Sequence, residues 1–290
     1  MKKRFVLGLV ILLVVSLFLG GCGEKAGEEN NNNSEDLNEE LNEEVKEEVD
    51  FSFLSNHEFF VRDDGLPGLQ ELYGFEFPEA NITDTGITYT ALADGLVDSA
   101  MGFATDGRIA AFDLVNLVDD KQYFPVYNPS PVVRKDLLDE YPEIADVLNQ
   151  LAILDTETMT NMNYRVDIEE EEPVDVALEW LVEQGIVSEM PKQGTEGSVT
   201  VGSKEFTEQL ILGQIAIIVL QDAGYNVVDQ TGLGGTLICR EALENGEIDM
   251  YWEYNGTGWI NILGYEDPLT DPDEAYEKVR DQDLEENDLV

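Results

Sequence analysis

SVTVGSKEFTEQLILGQIAIIVLQDAGYNVVDQTGLGGTLICREALENGEIDMYWEY, residues 198–254, alternates β-branched runs with amphipathic ones, and that alternation decides the fold class. Ser198 to Val201 predicts a short strand. Ser203 can cap a helix carrying Phe206, Leu210, Ile211, Ile215, Ile218 and Val219 at helical spacing, and Gly224 stops it. Tyr225 to Val228 predicts a second strand. After the glycine-rich turn over 232–236 comes a short helix, Leu237 to Glu244, ended near Gly246 and followed by a strand from Ile248 to Tyr254. Strand, helix, strand, helix, strand is the grammar of a parallel sheet with right-handed crossovers, so the chain is read as α/β.

Upstream, ALADGLVD (91–98) echoes ALENGEID (242–249): both read as helix, glycine stop, strand. Two such units point to two α/β lobes of similar build, with any ligand in the crevice between them or at the strand ends. Leu66 to Tyr73 predicts a helix after a Gly-Leu-Pro-Gly turn, Lys135 to Ile153 a long one, and Val174 to Gln184 another. MPKQGTEG (190–197) has the composition of a junction.

The chain opens on Met1-Lys-Lys-Arg, then an apolar run from Phe5 to Leu19, then small residues before Cys22. A 15-residue run falls short of the roughly 20 residues that cross a bilayer, so residues 1–21 read as a signal peptide rather than a permanent anchor, and Cys22 as a lipidated new N-terminus. A plain secreted protein and a short membrane anchor are the other readings of the same leader. Residues 22–50 are rich in Glu and Asn and too poor in apolar groups to build a core, which makes them a disordered acidic tether.

Charge narrows function. The 16 Lys and Arg stand against 62 Asp and Glu, a net −46 that becomes −49 once Lys2, Lys3 and Arg4 leave with the leader. Such a field repels phosphate backbones, so nucleic acid is excluded as a partner. It also fits a surface adapted to high salt, or an ordinary acidic extracellular protein. One histidine, His57, leaves no multi-His metal site and a single base for a nucleophile. Cys239 reads as a buried structural thiol, since a catalytic one would need that base. In GSK (202–204) the lysine precedes no Ser or Thr, so the phosphate-loop order is missing. The run 232–235 lacks dinucleotide-binding spacing, and Asp267, Asp271, Asp273 and Glu274 read as helix-capping acids rather than a calcium loop. No cofactor is called for.

What remains is a set of aromatic and polar residues near strand ends: Tyr254, Phe103 and Tyr127, with Lys204, Arg62 and Thr257. Ring faces attract a quaternary ammonium, which has no N–H to donate, while lysine, arginine and a hydroxyl grip a carboxylate. By residue type alone each of the six is more often core packing or surface pairing.

Several motifs together resemble one family. VGSKEFTEQLILG (201–213), LGGT (233–236) with REAL (240–243), and EYNGT (253–257) resemble the opening half of the glycine betaine/choline/carnitine-binding proteins of osmoprotectant ABC importers. RDDGLPGL (62–69), ATDGRIAAFDL (104–114) and FPVYNPSPVVR (124–134) resemble that family's closing half. The resemblance implies a two-lobe, type II periplasmic-binding-protein-like fold, residues 51–190 supplying the closing half, 191–197 a junction and 198–290 the opening half, in circularly permuted order. It implies a lipid-anchored protein on the extracytoplasmic face of the cell membrane that hands a quaternary-ammonium ligand to permease subunits, with no covalent chemistry. It places Tyr254, Phe103 and Tyr127 as ligand aromatics and Lys204, Thr257 and Arg62 as carboxylate grips, Phe103 standing where tyrosine is common. Such a cage reads the headgroup that betaine, choline, carnitine and proline betaine share. The family's next strand, with a further cage aromatic, has no counterpart here, so the second lobe is expected to be incomplete with a sheet edge exposed. A gene-model or contig end, a decayed copy and a completing partner chain are the explanations weighed. The rival functions are a surface lipoprotein enzyme using Cys239 and His57, and an inactive truncated fragment.

Overall fold

The computed structural model describes residues 51–290; the leader, Cys22 and the rest of the acidic stretch 22–50 lie outside the described residues. The first βαβαβ unit comprises β1 (Ser52–Ser55), α1 (His57–Val61), α2 (Leu66–Tyr73), β2 (Glu79–Ile82), α3 (Thr85–Ala93) and β3 (Ser99–Ala100). Its strands are parallel in the order β2-β1-β3. Asn56 caps α1 by accepting the Phe59 N–H, and α2 begins with Pro67 in its first turn and ends at Gly74, whose φ of 75° is left-handed. Phe53 of β1 stacks on Phe77 with centroids 4.5 Å apart.

The middle of the chain holds α4 (Gly107–Ala111), β4 (Pro129–Val133), α5 (Lys135–Glu140), α6 (Glu143–Asn149), a 3-10 turn over Gln150–Ile153, α7 (Thr156–Asp167) and α8 (Pro173–Glu183). The single helix expected over Lys135 to Ile153 is therefore broken. Pro142 bars its predecessor from helical geometry, and Tyr141 sits at φ −130°, ψ 73°. Its apolar spacing still works across the break, since Leu137, Ile144, Leu148 and Leu151 are all buried.

The second βαβαβ unit is β5 (Ser198–Lys204), α9 (Thr207–Asp222), β6 (Asn226–Gly234), α10 (Thr236–Glu244) and β7 (Met250–Tyr254), followed by α11 (Asn255–Thr257), a π turn over Gly258–Ile262 and α12 (Pro272–Asn287). The strands run longer than expected at β5 and β6, because the glycine-rich segment pairs with β5 as far as Gly234. Ser203 belongs to β5 and does not cap α9; its hydroxyl accepts the Gly232 N–H and bonds the Lys204 carbonyl, and Phe206 is the capping position. Asp271 does cap α12, accepting the Glu274 N–H at 2.9 Å.

This sheet runs β4-β7-β5-β6, with β5, β6 and β7 parallel and β4 antiparallel to β7. Strand alternation gives it two covered faces. Val199, Val201, Met250 and Trp252 enter one core with α9, which is buried nearly all round under α6, α7 and α8. Tyr251 points the other way, into a second core with Cys239 and Leu243 of α10. On the outer edge, the N–H and C=O of Val133 bond Val290, so Pro129 and Pro131, of the same parity, stand where no donor is needed.

The sequence echo is a structural one. Both α3 and α10 end on a left-handed glycine, Gly95 at φ 68° and Gly246 at φ 70°. The Leu96 N–H bonds the Ala91 carbonyl, and the Glu247 N–H bonds the Ala242 carbonyl, both at the same offset. Between α4 and β4, Leu114 to Val118 forms no strand, and Val115, Leu117 and Val118 are 84%, 88% and 85% exposed.

Candidate functional site

β5 delivers Lys204 at its C-terminal end, where the residue is buried and ion-paired. Its Nζ donates to Glu253 Oε1 at 2.6 Å and to Thr236 Oγ1 at 3.0 Å, and it lies 5.5 Å from the Tyr254 ring centroid. Glu253 also accepts the Tyr251 hydroxyl at 3.0 Å and the Tyr254 N–H at 2.7 Å. The lysine expected to grip a carboxylate thus grips one of its own chain. A buried pair bonded at each end persists because removing either partner strands a desolvated charge.

Three aromatic rings run in series beside it. Phe103, three residues past β3, stacks on Phe206 with centroids 5.0 Å apart and planes at 26°; Phe206 stacks on Tyr254 at 6.2 Å and 22°. Buried Tyr89 fixes the first of them, its hydroxyl accepting the Phe103 N–H at 2.6 Å. Phe206 has no role in the sequence reading beyond the face of a helix.

Glu208, in the first turn of α9, ties this series together. Its Oε1 accepts the Tyr254 hydroxyl at 2.7 Å, and its Oε2 accepts the Thr105 hydroxyl and, at 3.0 Å, Asn163 Nδ2. Burial, and after it the Glu208 carboxylate, push the Tyr254 phenol well above its ordinary range. Gln209 beside it is fully buried, with Oε1 on the Lys204 N–H and no partner for Nε2. Two polar residues opening a helix otherwise buried in apolar surroundings are the signal that would have marked this place.

Arg62 and Tyr127 are the remaining cation and ring of the sequence reading. Arg62 Nε and Nη2 grip Asp64 at 2.8 and 2.5 Å, Nη1 lies 3.7 Å from Glu58 Oε2, and Asp64 also accepts Asn261 Nδ2 at 2.7 Å. Burial works to raise the Asp64 carboxyl, but the Arg62 bonds and charge outweigh it and hold the group below its ordinary value. Tyr127, 38% exposed, packs on Gly256, where an added Cβ would fall 2.6 Å from Pro125 and 3.0 Å from the Tyr127 ring. Thr257 is buried in α11, three residues after Tyr254. Lys204 and Tyr254 are thus in direct contact, and Phe103 reaches Tyr254 through Phe206. Arg62 reaches Lys204 through Glu58 and Thr236, whose N–H and hydroxyl bond Glu58 at 2.7 and 3.2 Å.

The Cys239–His57 reading fails on geometry. Cys239 lies on the buried face of α10, where burial pushes its thiol up to about 12, and His57 is exposed at the start of α1. A thiolate nucleophile needs the opposite surroundings.

The family model described as "Substrate binding domain of ABC-type glycine betaine transport system" matches residues 27–183 and 197–290. The glycine-betaine-binding protein of Pseudomonas aeruginosa is 41% identical over 140 residues, which are 47% of this chain and 45% of that protein. The carnitine transport binding protein OpuCC of Listeria monocytogenes is 37% identical over 119 residues, 41% and 39% of the two chains. YehZ of Escherichia coli, a glycine betaine-binding protein, is 34% identical over 143 residues, 47% of each. The chain therefore spans about half the length of the curated relatives it matches. A solved glycine betaine/carnitine/choline ABC transporter structure aligns with TM-score 0.38 at 35% identity, covering 47% of this chain and 50% of that one.

Proposed function

Because this chain belongs to the family of substrate-binding domains of ABC-type glycine betaine transport systems, we propose that it is the extracytoplasmic solute-binding component of an importer for glycine betaine, choline or a related quaternary-ammonium osmoprotectant. The observation that carries this reading is the ring series Phe103–Phe206–Tyr254 at the C-terminal ends of parallel strands in two sheets, with Lys204 against its last member. Ring faces bind a trimethylammonium group that offers no hydrogen bond, and a chain of net charge −46 concentrates cations around itself. Tyr254, Phe103 and Tyr127 supply faces for the headgroup; Lys204, Arg62 and Thr257 flank the ligand's other end. The protein binds and releases its solute unchanged and hands it to permease subunits.

The proposed layout has a signal peptide over 1–21, Cys22 as the lipid anchor, a tether to residue 50, and the halves 51–190 and 198–290 in permuted order across 191–197. Its support is that β4 lies antiparallel on β7, and α6 to α8 share one core with α9, so both ends of the chain build one sheet-and-helix layer. Among the described residues no helix is long and apolar enough to cross a membrane, and the anchor is assigned to Cys22 on the leader's grammar. Titration calorimetry of the purified chain with choline and with glycine betaine tests the function: saturable binding of at least one is expected, and no heat with either overturns it.

A further inference from the structure

Glu58 comes from α1, beside β1, yet its carboxylate sits at the start of α10, 178 residues away. Oε1 accepts the Thr236 backbone N–H at 2.7 Å, and Oε2 accepts the Thr236 hydroxyl at 3.2 Å. That hydroxyl in turn accepts from Lys204 Nζ at 3.0 Å, and Arg62 Nη1 lies 3.7 Å from Glu58 Oε2. The backbone is shaped for this contact: a Cβ on Gly235 would fall 2.1 Å from Glu58 Oε1, so only glycine admits the carboxylate. One side chain therefore stands between the two cations assigned to a ligand's anionic end, touching one and reaching the other through a single hydroxyl.

The remaining charges are equally committed. Lys204 is paired with Glu253 at 2.6 Å and Arg62 with Asp64 through two bonds. Two cations thus face three carboxylates, Glu58, Asp64 and Glu253. A ligand carboxylate entering here would have to displace Glu58 or lie against it, and like charges at contact distance repel even though the Glu58 side chain is 38% exposed. A hydroxyl meets no such opposition, because it can donate to a carboxylate and accept from a lysine or arginine.

Resting on the function proposed above, we infer that Glu58 is a specificity-determining residue, an internal carboxylate in the anion seat that turns the site toward quaternary-ammonium cations with a hydroxyl or neutral tail and against zwitterions with a free carboxylate. Choline and glycine betaine are the matched probes, sharing a trimethylammonium head and differing in the tail. The wild-type chain should bind choline more tightly by about tenfold or more, the scale of one charge-assisted hydrogen bond.

The experiment titrates wild type and Glu58→Gln with both probes by calorimetry. The glutamine keeps the shape and removes the charge, so the choline-to-betaine affinity ratio should fall by about tenfold as betaine tightens and choline weakens. The ratio is read on one preparation, so partial misfolding lowers the number of sites without moving it. A wild-type preference for betaine, equal affinities, or a ratio unmoved by Glu58→Gln overturns the inference while leaving the proposed function standing. A parallel loss of both ligands in the variant also overturns it, since that marks Glu58 as a latch between elements. Failure of both proteins to bind either probe overturns the function itself, and the inference with it.

Discussion

Asp98 and Asp249 make the same bond in two different sheets. Asp98 Oδ2 accepts the Ser52 N–H at 2.9 Å, tying the approach to β3 onto β1, and Asp249 Oδ2 accepts the Thr200 N–H at 2.8 Å, tying the approach to β7 onto β5. Five residues after each aspartate stands an aromatic of the ring series, Phe103 in one unit and Tyr254 in the other. The repeated strand-end geometry, more than any local motif, explains why two rings distant in sequence both stack on Phe206.

Asp98 gives the first prediction, in stability against pH. Its bonds to the Ser52 N–H and then to the Ser52 hydroxyl hold its carboxyl below the ordinary value. A group depressed on folding stabilises the native state above its unfolded pKa, about 3.9 for aspartate, and that contribution disappears as pH falls through the folded value. Wild type should therefore melt above Asp98→Asn at pH 7, and the two melting temperatures should converge on acidification. A gap of constant size down to the lowest pH at which the chain stays folded would count against the bond.

Lys204→Met removes one half of the buried pair and leaves Glu253 desolvated, with only the Tyr251 hydroxyl and the Tyr254 N–H to bond it. Breaking a buried pair from one side costs about 3–5 kcal/mol, so denaturant unfolding should show a loss of that order. The double variant Lys204→Met/Glu253→Gln should recover part of it.

The α/β class, the paired units and the helix ends were legible in the sequence because periodicity and glycine stops are local. Glu58, Phe206 and Glu208 were not, because each acquires its role from a partner in another element: Glu58 from Thr236, Phe206 from Phe103, Glu208 from Thr105 and Tyr254. Periodicity assigns a residue to a face and says nothing of what that face meets. The break at Pro142 was available in principle, and the continuing spacing of Leu137, Ile144, Leu148 and Leu151 concealed it. Lys204 and Arg62 were found as cations, but their acidic partners were hidden among 62 acids.

Cys239 should behave as an inert thiol. Buried on the inner face of α10 with its pKa pushed up to about 12, it carries almost no thiolate at neutral pH and is closed to reagents. A maleimide should label it within minutes in denaturant and leave it unlabelled in the folded chain. Rapid native labelling at this thiol would contradict both its burial and its suppressed ionisation.

The last prediction concerns Glu208, which the ring series depends on without being part of it. Its carboxylate is acceptor-only, and it takes three donors: the Tyr254 hydroxyl, the Thr105 hydroxyl and the Asn163 amide. Glu208→Gln keeps the shape but replaces one oxygen with an NH2 group, which must then face at least one of those donors. A donor left against a donor in a buried place costs about 1–3 kcal/mol, so the melting temperature should fall. Binding of choline should weaken by more than that fall explains, because Tyr254 loses the bond that orients its ring for the cation. Tyr254→Phe separates the two effects, since it deletes the hydroxyl and keeps the ring face. It should lose less choline affinity than Tyr254→Ala, whose desolvated cation–π contact is worth about 2 kcal/mol, or more than tenfold in affinity. Equal choline affinities for wild type and Tyr254→Ala would remove this ring from the site.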